Sequence, residues 1–355
     1  MLSRSRSTKV SEVHVDPFSW ATAGMYFHRR DDQLTLHAPA KVNLTLEILA
    51  RRPDGFHELE TLMLAVSVCD TLTIESTAAG ELQVRCEWAA GLLAVAADLQ
   101  VCQSSIWQDL PATQDNLVYK ALDRLRVASG TTQGARVTLT KRIPAQAGLG
   151  GASADAAAVL LAANEAWNLN WPRSRLAEVA ASLGSDVAFF LTCGAAVCRG
   201  RGEQIEVIRA PRLALVIVRP PVGLSTPAVY KHCRPQPGQH AAAEMQVAFA
   251  RGDLSAAARS MHNGLQGPAE RLSPWIGRLQ QVFATTGAVG HQMSGSGSSY
   301  FGLFWQMGQA RRIARRLRGM NFGAVLVAQT VPRRATTGSS IDLQGAGIAC
   351  SELIH

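Results

Sequence analysis

A lysine and an aspartate in this sequence lie next to apolar segments, where a charged side chain needs a structural or a functional explanation. Lys41 lies inside the alternating segment LTLHAPAKVNLTLEIL, and Asn43 follows two residues later on the same face of the predicted strand. Asp186 precedes the apolar run VAFFL. A strand lysine is either an edge residue that discourages aggregation or a cation facing a site. An aspartate before an apolar segment either caps it or does acid–base chemistry. The residue types alone slightly favour the two structural interpretations.

A glycine-rich turn, Gly148-Leu149-Gly150-Gly151-Ala152-Ser153, stands between a predicted strand at 136–141 and a long alanine-rich helix. Glycines let a backbone approach a ligand closely, and the first amides of a helix, together with its dipole, can bind phosphate. The Ser153 hydroxyl could contact phosphate or Mg²⁺. The turn has neither the G-K-[ST] ending of a P-loop nor a G-x-G-x-x-G fingerprint. A turn that merely starts a helix is an equally good interpretation.

Two further segments are ambiguous. Met293-Ser294-Gly295-Ser296-Gly297-Ser298 lies between two predicted strands and could close over a ligand, but a flexible hairpin is the better interpretation of the segment alone. His57 follows Phe56 in the turn segment RPDGFHEL, where an exposed histidine usually has no function.

The length of 355 residues and the mixed order of strands and helices predict two α+β domains. We expect a flexible extension at 1–33, a first domain at 34–210, a second domain at 211–334 and a loose tail at 335–355, with an irregular insertion at 91–113. Asp115 is the expected cap of a helix that runs to about Ala128. The other predicted elements include strands at 61–74, 81–88, 213–218 and 324–329, a hairpin at 195–208, and helices at 173–183, 225–231, 240–250, 253–262, 272–286 and 309–318.

Composition excludes several classes of protein. A hydrophobic content of 47% excludes wholesale disorder, and no apolar run is long enough for a membrane-spanning helix. The start of the chain lacks the apolar core of a secretory signal, and the seven cysteines form no C-x-x-C pair, so we expect a cytoplasmic protein without structural zinc or disulfides. The net charge of +8 owes much to arginines at 311–334. These could face an anionic partner, but a solvated helix face is favoured, because Ile313 and Leu317 have core-facing spacing.

The order in which all of the motifs occur along the chain favours the functional interpretations over the structural ones. PAKVNL, RPDGFHEL, DNL, KRIPAQAGLGGASADAA, LGSDVAFF, GLSTPAVY and MSGSGSSYFG occur in this order over about residues 34–334. This order resembles the GHMP kinase superfamily. The resemblance implies a ribosomal-protein-S5-like first domain, a ferredoxin-like second domain, and phosphoryl transfer from ATP with Mg²⁺. Within the superfamily, the motifs PAKVNL and RPDGFHEL resemble those of members that phosphorylate the 2-hydroxyl of a cytidine-diphosphate-linked methylerythritol in the non-mevalonate isoprenoid route.

The resemblance also implies roles for individual residues. Lys41 and Asp186 would be the catalytic pair, with Asp186 accepting the hydroxyl proton, and the turn from Gly148 to Ser153 would hold the triphosphate. Asn116 and Lys141 would lie near adenosine. The candidate substrate-binding residues are Phe56 and Tyr230, stacked on cytosine, His57 at the cytosine edge, and Asn43 and Thr226 near the methylerythritol and the diphosphate.

The sequence departs from the superfamily pattern at Gln146 and Ala152, where glycine is common, and at Ala154, where a second serine is common. No metal ligands are assigned. The expected partners are ATP and a small alcohol, with neither nucleic acid nor membrane. The nearer alternative is a homoserine- or mevalonate-type kinase, which has no need of the Phe56–Tyr230 aromatic pair. The distant alternative is a nucleic-acid-binding module that uses the arginine-rich helix.

Overall fold

The molecule is built on two β-sheets whose strands are mostly antiparallel. The computed structural model describes residues 25–78, 80–90, 110, 113–192, 194–236 and 238–331. The first sheet has the path β1-β2-β3-β5-β4, and β6 pairs with β3 while β7 pairs with β6. Its strands are β1 (Tyr26–Arg30), β2 (Gln33–Arg51), β3 (His57–Thr77), β4 (Leu82–Trp88), β5 (Gly134–Lys141), β6 (Ala195–Gly200) and β7 (Gln204–Val207).

Four helices cover one face of this sheet. They are α1 (Leu117–Ser129), α2 (Gly151–Ala166), α3 (Arg173–Leu183) and α4 (Ser185–Thr192). Alanines dominate the buried surface of α2, so this helix can lie close to the strands and to its neighbours. The N-terminus of α2, where the glycine turn ends, is thereby held against β2.

The second sheet is four-stranded and entirely antiparallel, in the order β10-β11-β8-β12. Its strands are β8 (Ala214–Arg219), β10 (Gly290–Met293), β11 (Tyr300–Phe304) and β12 (Ala324–Gln329). The short β9 (His262–Asn263) comes from the same half of the sequence but pairs with β2 of the first sheet. The helices here are α5 (Thr226–Lys231), α6 (Ala241–Ala250), α7 (Leu254–Arg259), α8 (Gln266–Leu272), α9 (Pro274–Ala284) and α10 (Met307–Arg318).

A register shift between β2 and β3 marks the point where the side chains of β2 change sides. The register of β2 on β3 shifts between Pro39 and Ala40, where Ser67 and Val68 of β3 have no partner in β2. Before the shift, Leu36 and Ala38 pack under the helices. After it, Ala40, Val42 and Leu44 pack toward the second sheet. Because side chains alternate along a strand, Lys41 and Asn43 face the opposite side, where the glycine turn lies.

The α+β class is confirmed, but several local expectations were wrong. The extension expected at 1–33 is too long, because Tyr26–Arg30 pairs with β2 across the turn at Asp31. Asn116, rather than Asp115, caps α1, since the Asn116 side chain accepts a hydrogen bond from the Val118 amide at 3.0 Å.

The segment VAFFL is part of a helix that begins at Ser185. The helices expected at 253–262 and 272–286 are shorter, at α7 and α9, and α8 was not predicted. Residues 1–24, nearly all of the expected insertion at 91–113, and the expected tail at 335–355 lie outside the described residues.

The domain boundary near residue 210 stays a prediction. The strands of the second sheet begin at Ala214, yet β9 joins the first sheet and Thr330 forms a bridge with Val66 of β3. Across the part of the chain that the structure describes, no helix is long and apolar enough to cross a membrane.

Candidate active site

A cavity of about 1200 Å³ opens between the glycine turn, β2 and α5. All of the candidate residues that the sequence analysis singled out for binding or catalysis line it. They are Lys41, Asn43, Phe56, His57, Asn116, Lys141, Gly148, Leu149, Gly150, Gly151, Ala152, Ser153, Asp186, Thr226 and Tyr230. The structure thus brings these residues to one place, while their individual roles stay predictions.

Lys41 and Asp186 form an ion pair at the centre of the cavity. Lys41 Nζ lies 3.6 Å from Asp186 Oδ2, and the lysine side chain is nearly buried, whereas 35% of the aspartate side chain is exposed. The lysine also donates to Asn43 Oδ1 at 2.6 Å, and Asn43 Nδ2 donates to Thr61 Oγ1 at 2.8 Å. Thr61 in turn donates to the Thr45 carbonyl at 2.6 Å. This chain of hydrogen bonds fixes the ammonium and leaves the carboxylate accessible from the cavity.

The glycine turn lies directly against this pair. The Lys41 amide donates to the Leu149 carbonyl at 2.9 Å, which attaches the turn to β2. Gly150 has a φ of +71° and is the N-cap residue of α2. Because glycine has no side chain, the first amides of this helix receive no side-chain cap. A Cβ at Gly150 would lie 3.0 Å from Lys41 Cγ and 3.1 Å from the Phe190 ring. The position therefore requires glycine both for its conformation and for its space.

The segment MSGSGSS supports the turn from the other side. Ser294 Oγ donates to the Gly148 carbonyl at 3.0 Å, and the Ser299 amide donates to the Ala147 carbonyl at 3.1 Å. Asn263 holds the segment in place by donating to the carbonyls of Met293 and Gly295. The hairpin interpretation of this segment is confirmed, because it joins the antiparallel strands β10 and β11, but the loop is buried and hydrogen-bonded to the glycine turn.

Lys141 and Asn116 already have partners within the protein. Lys141 Nζ bonds to Asp70, and to Asp155 Oδ2 at 2.5 Å. Although burial opposes it, the pKa of Lys141 is raised by Asp155 and Asp70. Burial raises the pKa of Asp155 to about 8. Asn116 uses its oxygen to cap α1. Both residues line the cavity, but these side-chain contacts are made to other parts of the protein.

Sequence reasoning missed the two carboxylates of this cluster. Asp155 stands one helical turn after Gly151, and Asp70 lies within the apolar pattern of β3. A buried acid within an apolar pattern is a usable signal, because buried charges are nearly always paired. Asp70 also accepts hydrogen bonds from the amides of Arg142 and Ile143, which fixes the chain as it leaves β5 toward the glycine turn.

One part of the cavity lining is aromatic and basic. Phe56 is 53% exposed, and the guanidinium of Arg201 lies 5.0 Å from the centre of its ring. The rings of His57 and Tyr230 are 5.1 Å apart and tilted by 38°. Partial burial, followed by the charge of Arg51, lowers the pKa of His57. All four side chains line the cavity, and Arg201 was not predicted there.

Oxygen donors suited to a magnesium ion are present but few. The hydroxyl of Ser153 and the carboxylate of Asp186 line the same part of the cavity as the glycine turn. Among the described residues there is no group of three or more His, Cys, Asp or Glu side chains that could hold a metal ion. This donor set fits an ion that is bound chiefly by substrate phosphates, as Mg²⁺ commonly is.

Comparisons with known proteins agree with the geometry. The family model described as GHMP kinases N terminal domain matches residues 116–194, and the model described as GHMP kinases C terminal matches residues 245–321. The chain is 40% identical over 288 residues to the 4-diphosphocytidyl-2-C-methyl-D-erythritol kinase of Pelotomaculum thermopropionicum, across 80% of this chain and 94% of that protein.

Solved structures give the same picture. A crystal structure of 4-(cytidine 5'-diphospho)-2C-methyl-D-erythritol kinase is 34% identical, with a TM-score of 0.67 over 83% of this chain and 98% of that one. A homoserine kinase from Cytophaga hutchinsonii, at 21% identity and a TM-score of 0.65 over 87% of this chain and 98% of that one, shares the fold.

Proposed function

The chain belongs to the 4-diphosphocytidyl-2-C-methyl-D-erythritol kinase family of the GHMP kinases, and we propose that Lys41 and Asp186 carry out its phosphoryl transfer. The reaction is the ATP-dependent phosphorylation of the 2-hydroxyl of 4-diphosphocytidyl-2-C-methyl-D-erythritol, a step in isoprenoid biosynthesis. The observation that carries the residue assignment is the Lys41–Asp186 ion pair beside an uncapped helix N-terminus.

Asp186 accepts the proton of the attacking hydroxyl in this proposal. Its carboxylate is the exposed member of the pair, and the general base must reach the proton that it removes. Lys41 neutralises negative charge at the attacking oxygen, and its bond to Asn43 keeps the ammonium directed to that point. Phosphoryl transfer depends mainly on positioning and charge stabilisation, which such a rigid pair supplies.

The glycine turn binds the triphosphate through backbone amides. The start of α2 offers amides without intrahelical partners, and the helix dipole favours an anion there. Mg²⁺, when bound with ATP, supplies positive charge to the phosphate oxygens. The hydroxyl of Ser153, at the glycine turn, is the side-chain oxygen that would contact it.

The aromatic end of the cavity binds cytidine. Phe56 and Tyr230 provide faces for the base, His57 provides a polar edge, and Thr226 lies beside Ser296, with their hydroxyl oxygens 2.7 Å apart. In the free protein His57 lies against Tyr230 and Arg201 lies against Phe56, so these contacts rearrange or become part of the stack when the base enters. Lys141 and Asn116 border the adenosine end of the cavity and shape it.

The substrate is tested by measuring ADP release with a panel of alcohols. We expect turnover of 4-diphosphocytidyl-2-C-methyl-D-erythritol and negligible turnover of homoserine, mevalonate and uncytidylated methylerythritol phosphate, because loss of the base removes stacking and leaves His57 without its partner. Preferred turnover of homoserine or mevalonate would contradict the substrate assignment. Salt-sensitive binding of DNA or RNA without ATP turnover would favour the nucleic-acid alternative.

A cytoplasmic location is part of the proposal. Among the described residues, Cys69, Cys86, Cys198 and Cys233 form no disulfide, which suits a reducing compartment. Cell fractionation followed by immunoblotting tests it, and recovery with the membrane or secreted fraction would contradict it.

A further inference from the structure

A fully buried arginine lies where the second sheet approaches the glycine turn. Arg219 ends β8, and its relative exposure is 0%. Its Nη1 donates to the carbonyl of Pro220, and its Nη2 donates to the carbonyl of Ala145 at 3.2 Å. The guanidinium therefore connects two segments that are distant in sequence.

The first of these segments leads into the glycine turn. Ala145 is followed by Gln146, a non-glycine residue with a φ of +47°, and then by Ala147, whose carbonyl accepts from Ser299. Such a conformation is strained for a side chain other than glycine, and it persists only where the surroundings hold it. The bond from Arg219 to Ala145 acts one residue before this point.

The second segment leads to the alcohol site. From Pro220 the chain passes through Gly223 to Thr226 and Tyr230 on α5. A Cβ at Gly223 would lie 3.0 Å from both Arg219 Nη2 and Gln146 Oε1. The loop after β8, Arg219 and the approach to the glycine turn thus meet so closely that one added methyl group would displace its neighbours by a few tenths of an ångström.

Burial of this cation is costly. Removal from water lowers the pKa of Arg219 to about 10, and an apolar side chain of similar size would avoid that cost. Stability alone therefore gives a weak reason for an arginine at this position. Its forked donors, which can reach two carbonyls at once, give a better one.

We propose that Arg219 is a positioning residue that couples the glycine turn to the segment carrying Thr226 and Tyr230, so that ATP and the alcohol substrate favour each other's binding. The inference rests on the proposed function, which places ATP at the first segment and the cytidylated alcohol at the second. Coupling follows because a shift of either segment moves the same guanidinium, and linkage between two ligands is reciprocal.

The test is a binding linkage measured by calorimetry. A non-hydrolysable ATP analogue is titrated into the protein with and without saturating 4-diphosphocytidyl-2-C-methyl-D-erythritol. We expect the alcohol to lower the Kd of the analogue about 5-fold or more in the wild type, within the usual range of such coupling. Arg219→Met should bring this ratio close to one, and Arg219→Lys, which keeps one cationic donor, should give an intermediate ratio.

Gly223→Ala provides a second variant that keeps the arginine and displaces it. It should reduce the ratio as Arg219→Met does. Gly277→Ala is the matched control, because a Cβ there has no atom within 4 Å, and its ratio should equal that of the wild type. A merely structural role would lower the melting temperature of the variants and leave the ratio unchanged.

Two results would overturn the inference: a ratio near one in the wild type, or a wild-type ratio in both Arg219→Met and Gly223→Ala. Failure of the wild type to bind the cytidylated alcohol at all would instead overturn the proposed function. The two failures are therefore distinguishable in one set of titrations.

Discussion

At the scale of single residues, the Lys41–Asp186 pair divides two tasks between a buried cation and an accessible anion. For Asp186→Asn we expect kcat to fall by about 10²- to 10⁴-fold, because an amide cannot accept the hydroxyl proton. The Kd of a non-hydrolysable ATP analogue should stay near the wild-type value, since the helix N-terminus is unchanged. Steady-state kinetics and calorimetry check the two parts. Asp123→Asn, on α1 and outside the cavity lining, is the control, and an undiminished kcat in Asp186→Asn would remove Asp186 from its role.

The exposed ring of Phe56 is the residue-scale test of cytosine binding. Phe56→Ala should raise the KM for the cytidylated substrate roughly 2- to 10-fold, which corresponds to the loss of about 0.5–1.5 kcal/mol of stacking. The KM for ATP should not change, because the ring is not part of the glycine turn, which is the candidate triphosphate site. Trp305→Ala removes an equally exposed ring that does not line the cavity. If both variants leave the KM for the alcohol unaltered, cytosine does not stack on Phe56.

The buried Asp155 predicts a pH dependence of stability. Its pKa is raised from the ordinary value to about 8 in the folded protein, chiefly by burial. Between about pH 4 and pH 8 the folded state therefore binds a proton that the unfolded state has released, and stability falls as the pH rises, by at most about 1.4 kcal/mol per unit.

Asp155→Asn replaces this carboxyl by a neutral group of the same shape. We expect the free energy of unfolding of the wild type, relative to the variant, to decline from pH 5 to pH 8. Denaturant unfolding at each pH measures the difference. Parallel curves for the two proteins would show that Asp155 does not titrate in this range.

At the scale of secondary-structure elements, the junction between β2 and α2 assembles the site. Lys41 follows the register shift between β2 and β3, and the left-handed Gly150 lets α2 begin next to it. Gly150→Ala should destabilise the protein by about 1–2 kcal/mol, because its φ of +71° disfavours a Cβ. It should also abolish most activity, since the added methyl displaces Lys41 or Phe190.

Gly130→Ala is the matched control for this substitution. Gly130 ends α1 with the same φ of +71°, but a Cβ there meets no atom within 4 Å. Gly150→Ala should lose at least as much stability as Gly130→Ala in chemical denaturation, while Gly130→Ala keeps its kcat. Equal losses of activity would mean that the close approach at Gly150 is unimportant for catalysis.

At the scale of the whole molecule, hydrogen bonds join the two sheets around the cavity. Gln292 Nε2 donates to the carbonyls of Asn43 and Leu44 at 2.8 and 2.9 Å, and the Val331 amide donates to the Ala65 carbonyl at 2.9 Å. One apolar cluster contains residues of both sheets, among them Leu62 and Ile217. The site is therefore built on a shared core.

This shared core predicts cooperative unfolding. Far-UV circular dichroism and tryptophan fluorescence should give coincident transitions in denaturant, because neither sheet can expose its inner face without exposing the other. Gln292→Ala should lower the midpoint seen by both probes together, whereas exposed Gln239→Ala should not. Two separated transitions would contradict this, and they would favour independent domains divided near residue 210.

Local pattern was enough to predict much of the fold. The α+β class, the long strands on either side of the turn at Pro53-Asp54-Gly55, the glycine turn before α2 and the hairpin at 195–208 all follow from spacing within a few residues. Family resemblance also indicated the residues that line the cavity, since their order along the chain is distinctive. Such features depend on neighbours in sequence, and the sequence displays them directly.

Only the tertiary structure decided which charges meet. Nothing local indicates that Lys141 pairs with Asp70 and Asp155, that the serine-rich loop supports the glycine turn, or that Arg219 reaches Ala145. Each of these contacts joins segments far apart in the chain. The partner of a buried polar group is chosen by the packing of the whole core, which leaves only a few donors and acceptors within hydrogen-bonding distance.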